Sequence, residues 1–532
     1  MSQILDQYGK PIAQTADERL RAEVQRLRVK NQQMRQSVEA AGTDEFNSRL
    51  FQNADSLGPN AAFSEGVRQR TRDRARHEHI NNGNARGLVR THAYDLIGTC
   101  PRLQQLTIPG DESGEKAEKV ERSFAKWQTA IQMGFKARLM ERAVGHSGES
   151  FAILQENPKL KNKVKLDWRI VEAEQLTTPW NLPTNTNIVD GIEIDAFGNR
   201  LRYFFLKYHP GESRGPSMNG IGDFLVINAD KVLHWFECDR AGQLRGLPKT
   251  TSGLKTFAQV RRWDEAALTA AEFAAMIAGI LTSNLPVGSD APQAISNWEM
   301  FELLKGMLLT LPQGYDFKQA DAKQPTANHD EFKRSQQNDA GRGSGTPLNV
   351  TTGNSSGYNY SSGRLDHVPY HREKRIDRFD FRNVVLDPTF IAWEEEARIV
   401  GEIEADLPAI DEWAWEWNYD GFEGIDAEKD AKTDDVRLRN GSTNFAEVES
   451  EYGRDWRKQL KQLVKEVKAY AAEGLVHPFV AASKPPVAPV KDELPPDDEE
   501  DDEEETDEAE NRIVNRLNPS VNGHSPNGVH HG

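Results

Sequence analysis

The chain has 532 residues, of which 37% are hydrophobic and 28% are charged. This is the composition of a soluble protein with several structural regions. No apolar run is long enough to cross a bilayer, and the N-terminus lacks a signal-peptide pattern. The only cysteines, Cys100 and Cys238, are too few for a disulfide framework or a thiolate zinc site. We therefore expect cytoplasmic assembly, no membrane partner and no cofactor.

Charge is distributed unevenly along the chain. Residues 492–510 contain 14 acidic and no basic residues, and they account for most of the net charge of −17. Blocks of like charge repel themselves, so we expect a disordered acidic tail over residues 479–532. Seven arginines near the other end form a basic cluster: Arg68, Arg70, Arg72, Arg74, Arg76, Arg86 and Arg90.

Residues 16–40 have apolar side chains at alternating spacings of four and three, which predicts a helix. The apolar positions are Leu20, Val24, Leu27, Met34 and Val38. Such a pattern is typical of a short coiled coil or of an amphipathic helix on the chain's own body. We favour the second interpretation because the run is short.

The next segments predict one helix followed by a β-rich region. Residues 114–144 keep an apolar stripe at helical spacing. Alternating apolar residues from Val164 to Ile170 then indicate a half-buried strand. The turn sequence 195–199 lies between two further strand-like runs, 188–194 and 202–208, and so predicts a hairpin.

Helical patterns return after residue 250. Residues 252–282 contain many alanines, which suit close packing among copies of the chain or ordinary burial. Residues 342–363 are rich in Gly, Ser, Thr and Asn and predict a long loop. A helix through about residue 403, interrupted near Asp387 and Pro388, and another over 444–473 are expected to follow.

Enzyme motifs are absent from the sequence. Lys249 follows Pro248, whereas a phosphate-binding P-loop requires Gly before the Lys. Ser147 lacks the glycine two positions later that a nucleophile elbow needs. The run Trp413–Trp417 could line a sugar site with Glu416, but this carboxylate has no identifiable partner, so core or interface aromatics are favoured. We therefore predict no catalytic activity.

Several segments resemble, in order, the lambda-type family of tailed-bacteriophage portal proteins. They include 72–76, 81–86, 97–99, 149–151, 168–175, 359–364, 424–431, 439–443 and 451–455. The most specific is Asn359-Tyr360-Ser361-Ser362-Gly-Arg364, which closely matches the family's NYSS motif. The ordered resemblance covers roughly residues 68–475, which makes chance agreement unlikely.

The resemblance implies an α+β subunit of a dodecameric ring, with a mixed α/β wing, a helical stem, a small clip and a helical crown. The expected regions are an N-terminal helical arm (1–59), the wing (60–250), a first stem helix (251–284), the clip (285–327), a second stem helix (328–345), a channel loop (346–363), a wing helix (364–405), the crown (406–478) and the tail (479–532).

The resemblance also assigns candidate site residues. The loop residues expected to face DNA are Asn349, Thr351, Thr352, Asn354, Ser355, Ser356, Tyr358, Asn359 and Tyr360. The residues expected at a stem interface between subunits are Ala267, Ala271 and Ala275. The residues expected on a clip facing the terminase are Trp298, Glu299 and Glu302.

The function implied is a non-enzymatic channel for DNA packaging and ejection at a capsid vertex of the virion. Its expected partners are other copies of the chain, double-stranded DNA, the terminase large subunit, the major capsid protein or scaffold, and a head–tail connector. The alternative is a nucleic-acid-binding structural protein that uses Arg68–Arg90. That cluster lacks interleaved aromatics for base stacking, which favours the first interpretation.

Overall fold

The structure is a computed structural model, and it describes residues 20–28, 49, 52, 54–179, 187–212, 224–276, 279–283, 315–319, 329–422 and 427–482. The helices are α1 Pro59–Ala62, α2 Glu65–Asn81, α3 Gly83–Ile97, α4 Glu115–Ala130, α5 Met133–Ser147, α6 Leu254–Met276, α7 His329–Arg342, α8 Leu348–Thr352, α9 Tyr360–Phe381, α10 Asp387–Ile399, α11 Ala427–Arg439, α12 Phe445–Glu451, α13 Trp456–Ala472 and α14 Pro478–Ala482.

The strands are β1 Arg102–Thr107, β2 Glu149–Glu156, β3 Leu166–Val171, β4 Ile188–Val189, β5 Ile192–Ile194, β6 Arg200–Leu206, β7 Phe224–Asn228, β8 Val232–Phe236, β9 Gly279–Ser283, β10 Tyr315–Gln319 and β11 Ala414–Asn418. The chain is a mixture of helices and strands, as the expected α+β class requires. By internal contacts the chain divides into two units, Met1–Gln459 and Leu460–Gly532.

The largest core cluster is aromatic and draws on segments far apart in the sequence. Phe124 of α4 contacts Trp393 of α10 edge-on, with ring centroids 5.0 Å apart. Strand β11 pairs antiparallel with β1 and brings buried Trp413 and Trp417 into the same cluster. The tryptophan run therefore belongs to the core, as the sequence favoured. The core extends past residue 406 and includes Leu407.

The β-rich region forms two antiparallel sheets. One has the strand order β3-β2-β8, and the other is the meander β4-β5-β6-β7. The predicted hairpin is confirmed, because β5 pairs with β6. Its turn is closed by Asp195 Oδ1, which accepts from the backbone N–H groups of Phe197 and Asn199, at 2.8 Å each.

Two predicted helices differ from the structure. The run 114–144 is broken into α4 and α5, because Gln132 has a left-handed conformation with φ of 56°. The alanine-rich helix predicted for 252–282 ends at Met276, and β9 pairs with β10 instead. Ile280 and Thr282 are β-branched and favour a strand. The prediction gave more weight to the alanines that precede them.

The N-terminal helix was interpreted as lying on the chain's own body. Within the described part, 20–28, the apolar side chains Leu20, Val24 and Leu27 are exposed. The favoured interpretation is therefore wrong for these residues. The predicted acidic tail lies outside the described residues from position 483 onward.

Candidate channel segment and its anchoring

The expected channel loop, 346–363, is shorter and more ordered than the sequence suggested. Helix α7 ends at Arg342 rather than at 345, and the short helix α8 occupies 348–352. Helix α9 begins at Tyr360, four residues before the predicted start. The exposed connection is thus reduced to Gly353–Asn359, which we call the exposed run.

Two candidate channel residues, Asn349 and Thr351, are buried, at 7% and 2% exposure. The amide of Asn349 hydrogen-bonds to His367 Nε2 at 2.9 Å. Thr351 Oγ1 donates to the Pro347 carbonyl at 3.0 Å. A Cβ atom on Gly341 would lie 2.0 Å from Thr351 Oγ1, so α7 and α8 meet too closely for any side chain there. These two residues pack α8 rather than face solvent, and the prediction is corrected for them.

The exposed run is held mainly by local hydrogen bonds. The backbone N–H of Ser356 donates to Asn354 Oδ1 at 2.9 Å, which forms an Asx turn. Arg334 of α7 donates to the carbonyl and hydroxyl oxygens of Ser356, at 3.0 and 3.1 Å. Gly353 and Gly357 have φ of 64° and 84°, which other residues rarely adopt. Asn354, Ser355 and Ser356 are exposed, so they remain available to a partner.

The NYSS motif forms the N-terminal cap of α9. Asn359 Oδ1 accepts from the backbone N–H of Ser362 at 2.8 Å, and the Asn359 N–H donates to Ser362 Oγ at 3.1 Å. This reciprocal pair is a capping box. The spacing of three between Asn359 and Ser362 is the sequence signal for this cap. Arg364, in the next turn of the helix, is exposed.

Farther along α9, a buried polar network fixes the helix to α3. Lys374 is fully buried and donates to His92 Nδ1 at 2.9 Å and to Asp377 Oδ2 at 2.7 Å. The Tyr370 hydroxyl donates to Asp95 Oδ2 at 2.5 Å. Burial, and then the Lys374 ammonium, hold the pKa of His92 well below its ordinary value. His92 is therefore neutral, so its ring nitrogen can accept from Lys374.

Lys249, considered above for a P-loop, serves the same network. Its Nζ lies 3.6 Å from Asp377, 3.7 Å from Glu373 and 3.6 Å from Glu237. Burial alone would lower the pKa of Lys249, but these carboxylates raise it above its ordinary value. The side chain is thus a permanent buried cation that joins the segment before α6 to α9.

Arg378 fixes the C-terminal end of α9. Its guanidinium donates to the carbonyl oxygens of Leu96, Asp95 and Asp420, at 3.2, 2.7 and 2.9 Å. A π-helical turn, Arg382–Leu386, then joins α9 to α10. The interruption predicted near Asp387 and Pro388 is therefore a π turn within one continuous helical path, which accommodates Pro388 in the first turn of α10.

Three arginines of the N-terminal basic cluster are used inside the protein. Arg68 pairs with Asp190 at 2.8 Å. Arg72 lies 3.5 Å from the fully buried Glu149 and 3.4 Å from Glu174. Arg76 donates to Glu174 at 2.6 Å. The remaining members, Arg70, Arg74, Arg86 and Arg90, are exposed.

Glu149 is the centre of this second network. Arg245 donates to both of its oxygens, with distances of 2.7 to 3.0 Å, and His234 hydrogen-bonds to it at 3.2 Å. Burial alone would raise the pKa of Glu149, but Arg245 and His234 lower it far below its ordinary value. The network joins α2, β2 and β8, so it serves the fold.

One group of side chains could in principle share a cation: Glu172, Glu174 and His209. However, Arg76 donates to both carboxylates, at 3.1 Å to Glu172 and 2.6 Å to Glu174. The chain therefore supplies the positive charge itself.

The other predicted sites are only partly described. On α6, Ala267 and Ala271 are half-buried, while the side chain of Ala275 lies outside the described residues. On the same helix, Leu268 and Phe273 are each 61% exposed. The clip candidates Trp298, Glu299 and Glu302 also lie outside the described residues. Among the residues that the structure describes, no helix is both long and apolar enough to cross a membrane.

Known proteins similar to this chain include a probable phage portal protein and chains of gene transfer agent particles. The chain is 24% identical over 431 residues to a probable portal protein of Halomonas phage phiHAP-1, covering 77% of this chain and 82% of that protein. Two solved chains, from the neck of an empty gene transfer agent (GTA) particle and from a native GTA virion, are 11% and 12% identical. Each covers 75% of this chain and 94% of its own, with a TM-score of 0.35, which is too low to carry an argument.

The family model described as "Phage portal protein, lambda family" matches residues 49–378. This range contains the buried Glu149 network, the exposed run and nearly all of α9. Because the match covers more than half of the 532 residues, the chain belongs to the lambda family of phage portal proteins.

Proposed function

We propose that about twelve copies of this chain close into a ring at a capsid vertex, through which DNA enters and leaves the virion. Family membership supports the portal role. The main support for a DNA channel is the exposed run, because its seven residues include no charged side chain. It stands between two helices, and α9 is joined to the body by the Lys249–Asp377 ion pair and by the Lys374–His92 hydrogen bond.

A DNA conduit must touch its cargo without gripping it. Each Lys or Arg that contacts a phosphate releases counterions and strengthens binding, and a ring multiplies that attraction by its number of subunits. Small polar side chains such as Asn354, Ser355 and Ser356 can contact DNA without this attraction. Fixing the base of α9 keeps the run at a defined position beside the DNA.

The proposal also assigns the contacts between subunits and with other phage proteins. Copies contact each other along α6, through Ala267, Ala271 and Ala275, where exposed Leu268 and Phe273 supply apolar area. The segment 285–327, with Trp298, Glu299 and Glu302, faces the terminase, and the capsid or scaffold and the connector bind elsewhere on the ring. Assembly takes place in the host cytoplasm, and the terminase rather than this chain provides the chemical energy.

The alternative, nucleic-acid binding through the arginine cluster, is weakened by the structure. Arg68, Arg72 and Arg76 are paired with carboxylates of the same chain. Breaking a buried pair to bind a phosphate costs about 3–5 kcal/mol. Only the exposed arginines remain for such a role.

Adding positive charge to the exposed run tests the channel proposal. We expect Asn354→Lys with Ser356→Lys to form rings, seen as a closed oligomer by native mass measurement and negative-stain imaging. The same rings should package DNA about tenfold more slowly, with partial relief at higher salt, because each added cation attracts phosphates. The measurement is the rate of DNA protection from nuclease in a packaging reaction.

The chain contains a matched control for this pair. Asn440 and Ser442 form the same turn, in which the Ser442 N–H donates to Asn440 Oδ1 at 2.9 Å, and both are exposed. Asn440→Lys with Ser442→Lys adds the same charge in the same geometry and should package normally. Asn354→Ala with Ser356→Ala should also package normally. Normal packaging by the Asn354/Ser356 lysine pair would show that the exposed run does not face the DNA.

A further inference from the structure

Helices α3 and α5 lie against each other in antiparallel directions. A Cβ atom on Gly145, late in α5, would lie 2.8 Å from the side chain of Val89 in the middle of α3. Arg138, earlier in α5, donates to the carbonyl oxygens of Gly98 and Thr99 just after α3, at 2.7 and 2.6 Å. Side chains between these two contacts therefore meet along the seam of the two helices.

Arginines from both helices converge on one phenol in this seam. The Tyr94 hydroxyl accepts from Arg90 at 3.1 Å and from Arg142 at 3.2 Å. Both guanidinium groups also lie over the tyrosine ring, 5.7 and 5.4 Å from its centroid. The hydrogen bond from Arg90 lowers the pKa of Tyr94, and the charges of Arg142 and Arg138 add to this effect. A phenol rather than a carboxylate thus holds two cations side by side.

A fourth arginine extends this group by one turn of α3. Arg86 precedes Arg90 by four residues, which places both on one face of the helix. These two are exposed, and the two arginines of α5 are half-buried. In the part of the chain that the structure describes, none of the four forms an ion pair with a carboxylate, in contrast to the paired arginines of α2. We call these four residues the α3–α5 patch: Arg86, Arg90, Arg138 and Arg142.

The α3–α5 patch lies away from α9. At 100° per residue, Arg86, Arg90 and Tyr94 fall within about 80° around α3. His92 and Asp95, which bind side chains of α9, fall on the opposite side of α3. The patch is therefore separate from the contacts that anchor α9, and packing of α9 leaves it uncovered.

The spacing of the patch suits a phosphodiester backbone. Arg86 and Tyr94 are about 12 Å apart along α3, and one strand of duplex DNA has a phosphate about every 3.4 Å along its axis. Three or four successive phosphates can thus pass the patch. A guanidinium group donates two parallel hydrogen bonds to a phosphate, and tyrosine hydroxyls also bind phosphate oxygens.

We propose that the α3–α5 patch binds the phosphate backbone of double-stranded DNA, on a surface separate from the exposed run and without reading base sequence. Four cations without a carboxylate among them match a linear polyanion. The proposal rests on the proposed function only in the choice of DNA as that polyanion. It differs from binding through the arginine cluster in sequence, because half of the patch comes from α5 and the paired arginines of α2 take no part.

Binding of covalently closed circular DNA to the full-length protein tests the patch. A closed circle cannot thread a closed ring, so contacts inside the channel do not contribute, and the measurement applies equally to a chain that forms no ring. The affinity is measured by electrophoretic mobility shift from about 50 to 200 mM salt. Arg86→Gln with Arg90→Gln should weaken binding about tenfold and reduce the slope of log affinity against log salt by about 2 for each contacting subunit. Adding Arg142→Gln should reduce the slope by about one more.

The chain offers a matched control on α2. Arg70 and Arg74 are also exposed and four residues apart. Arg70→Gln with Arg74→Gln removes the same charge outside the patch, and it should change the affinity less than about twofold, because distant charges are screened. Arg86→Lys with Arg90→Lys keeps the charge and should keep the salt slope, which separates lost charge from misfolding.

Three results would overturn the proposal. The first is absence of binding by the unmodified chain, and the second is an equal loss of affinity in the two glutamine pairs. The third is displacement of the circle by polyglutamate as effectively as by duplex DNA of equal charge, because the partner would then be an acidic polypeptide.

Discussion

The two ends of α9 handle charge in opposite ways. Toward its C-terminal end, Lys374 is fully buried against His92 and Asp377, and Lys249 is surrounded by three carboxylates. Toward its N-terminal end, the exposed run Gly353–Asn359 includes no charged residue. The buried charges are thus balanced within the chain, whereas the exposed run has no charged residue of its own and contacts one cation, Arg334.

This difference has a physical basis. A buried ion pair gains little net stability over an apolar pair, but it tolerates only one arrangement of its members. The Lys249–Asp377 pair joins α9 to the segment before α6 in this way. The hydrogen bonds Lys374–His92 and Tyr370–Asp95 hold α9 against α3. The exposed run is held instead by short-range bonds around Asn354 and Ser356, supplemented by Arg334. Such bonds can re-form after a disturbance.

The largest expected effect comes from breaking the buried end. Lys374→Met leaves Asp377 without its closest cation and His92 without its donor, at a cost of about 3 kcal/mol. The free energy of unfolding, from urea titration monitored by tryptophan fluorescence, should fall by that amount. Arg375→Met is the matched control, because Arg375 is the exposed neighbour, and it should change stability by less than about 0.5 kcal/mol. Equal losses of unfolding free energy in the two variants would show that the buried contacts of Lys374 contribute no more stability than the exposed Arg375.

Some elements around α9 could be predicted from the sequence, and the buried contacts could not. Strand and helix patterns depend on residues close together in the sequence. The 195–199 hairpin and helix α9 could therefore be predicted from it. The buried contacts of Asn349 and Thr351 were missed because small polar residues look alike in loops and in tight helix crossings. The Lys374–His92 pair joins positions 282 residues apart, and no local pattern reports such a distance.

The arginine cluster illustrates the same limit. Arg72 and Arg70 are indistinguishable in sequence, yet one is buried against Glu149 and the other is exposed. Only the tertiary fold separates an internal cation from a surface one. The NYSS motif is the opposite case, since its spacing alone carried the capping signal.

A smaller effect is expected where α7 crosses α8, next to the exposed run. Gly341→Ala places a Cβ against Thr351 Oγ1, and overpacking of this kind costs about 1–3 kcal/mol. Thr351→Ala in the same chain removes the obstructing atoms, so the double variant should recover part of the loss. The measurement is a double-mutant cycle on the free energy of unfolding. Simple additivity of the two changes would contradict the contact and place α8 farther from α7.

The smallest effect is expected at the cap that joins the exposed run to α9. Asn359→Ala removes the acceptor for the Ser362 N–H, and loss of an N-cap costs about 1 kcal/mol. Because α9 is fixed by Lys374 and Arg378 farther along, we expect only its first turn to open. Hydrogen exchange of the amides of residues 361–363 should accelerate about fivefold, the equivalent of that free energy, while exchange near Lys374 stays unchanged.

Two further variants test whether the effect comes from the lost cap or from any substitution in this region. Asn359→Asp keeps an acceptor and adds a charge that favours a helix N-terminus, so exchange should remain slow. Asn354→Ala removes an Asx turn outside the helix and should leave the first turn of α9 protected. If Asn359→Ala also destabilised the Lys374 region, the two ends of α9 would act as one cooperative unit. The anchored part of α9 and the exposed run would then not be held independently, because a disturbance at the exposed run would loosen the anchored part as well.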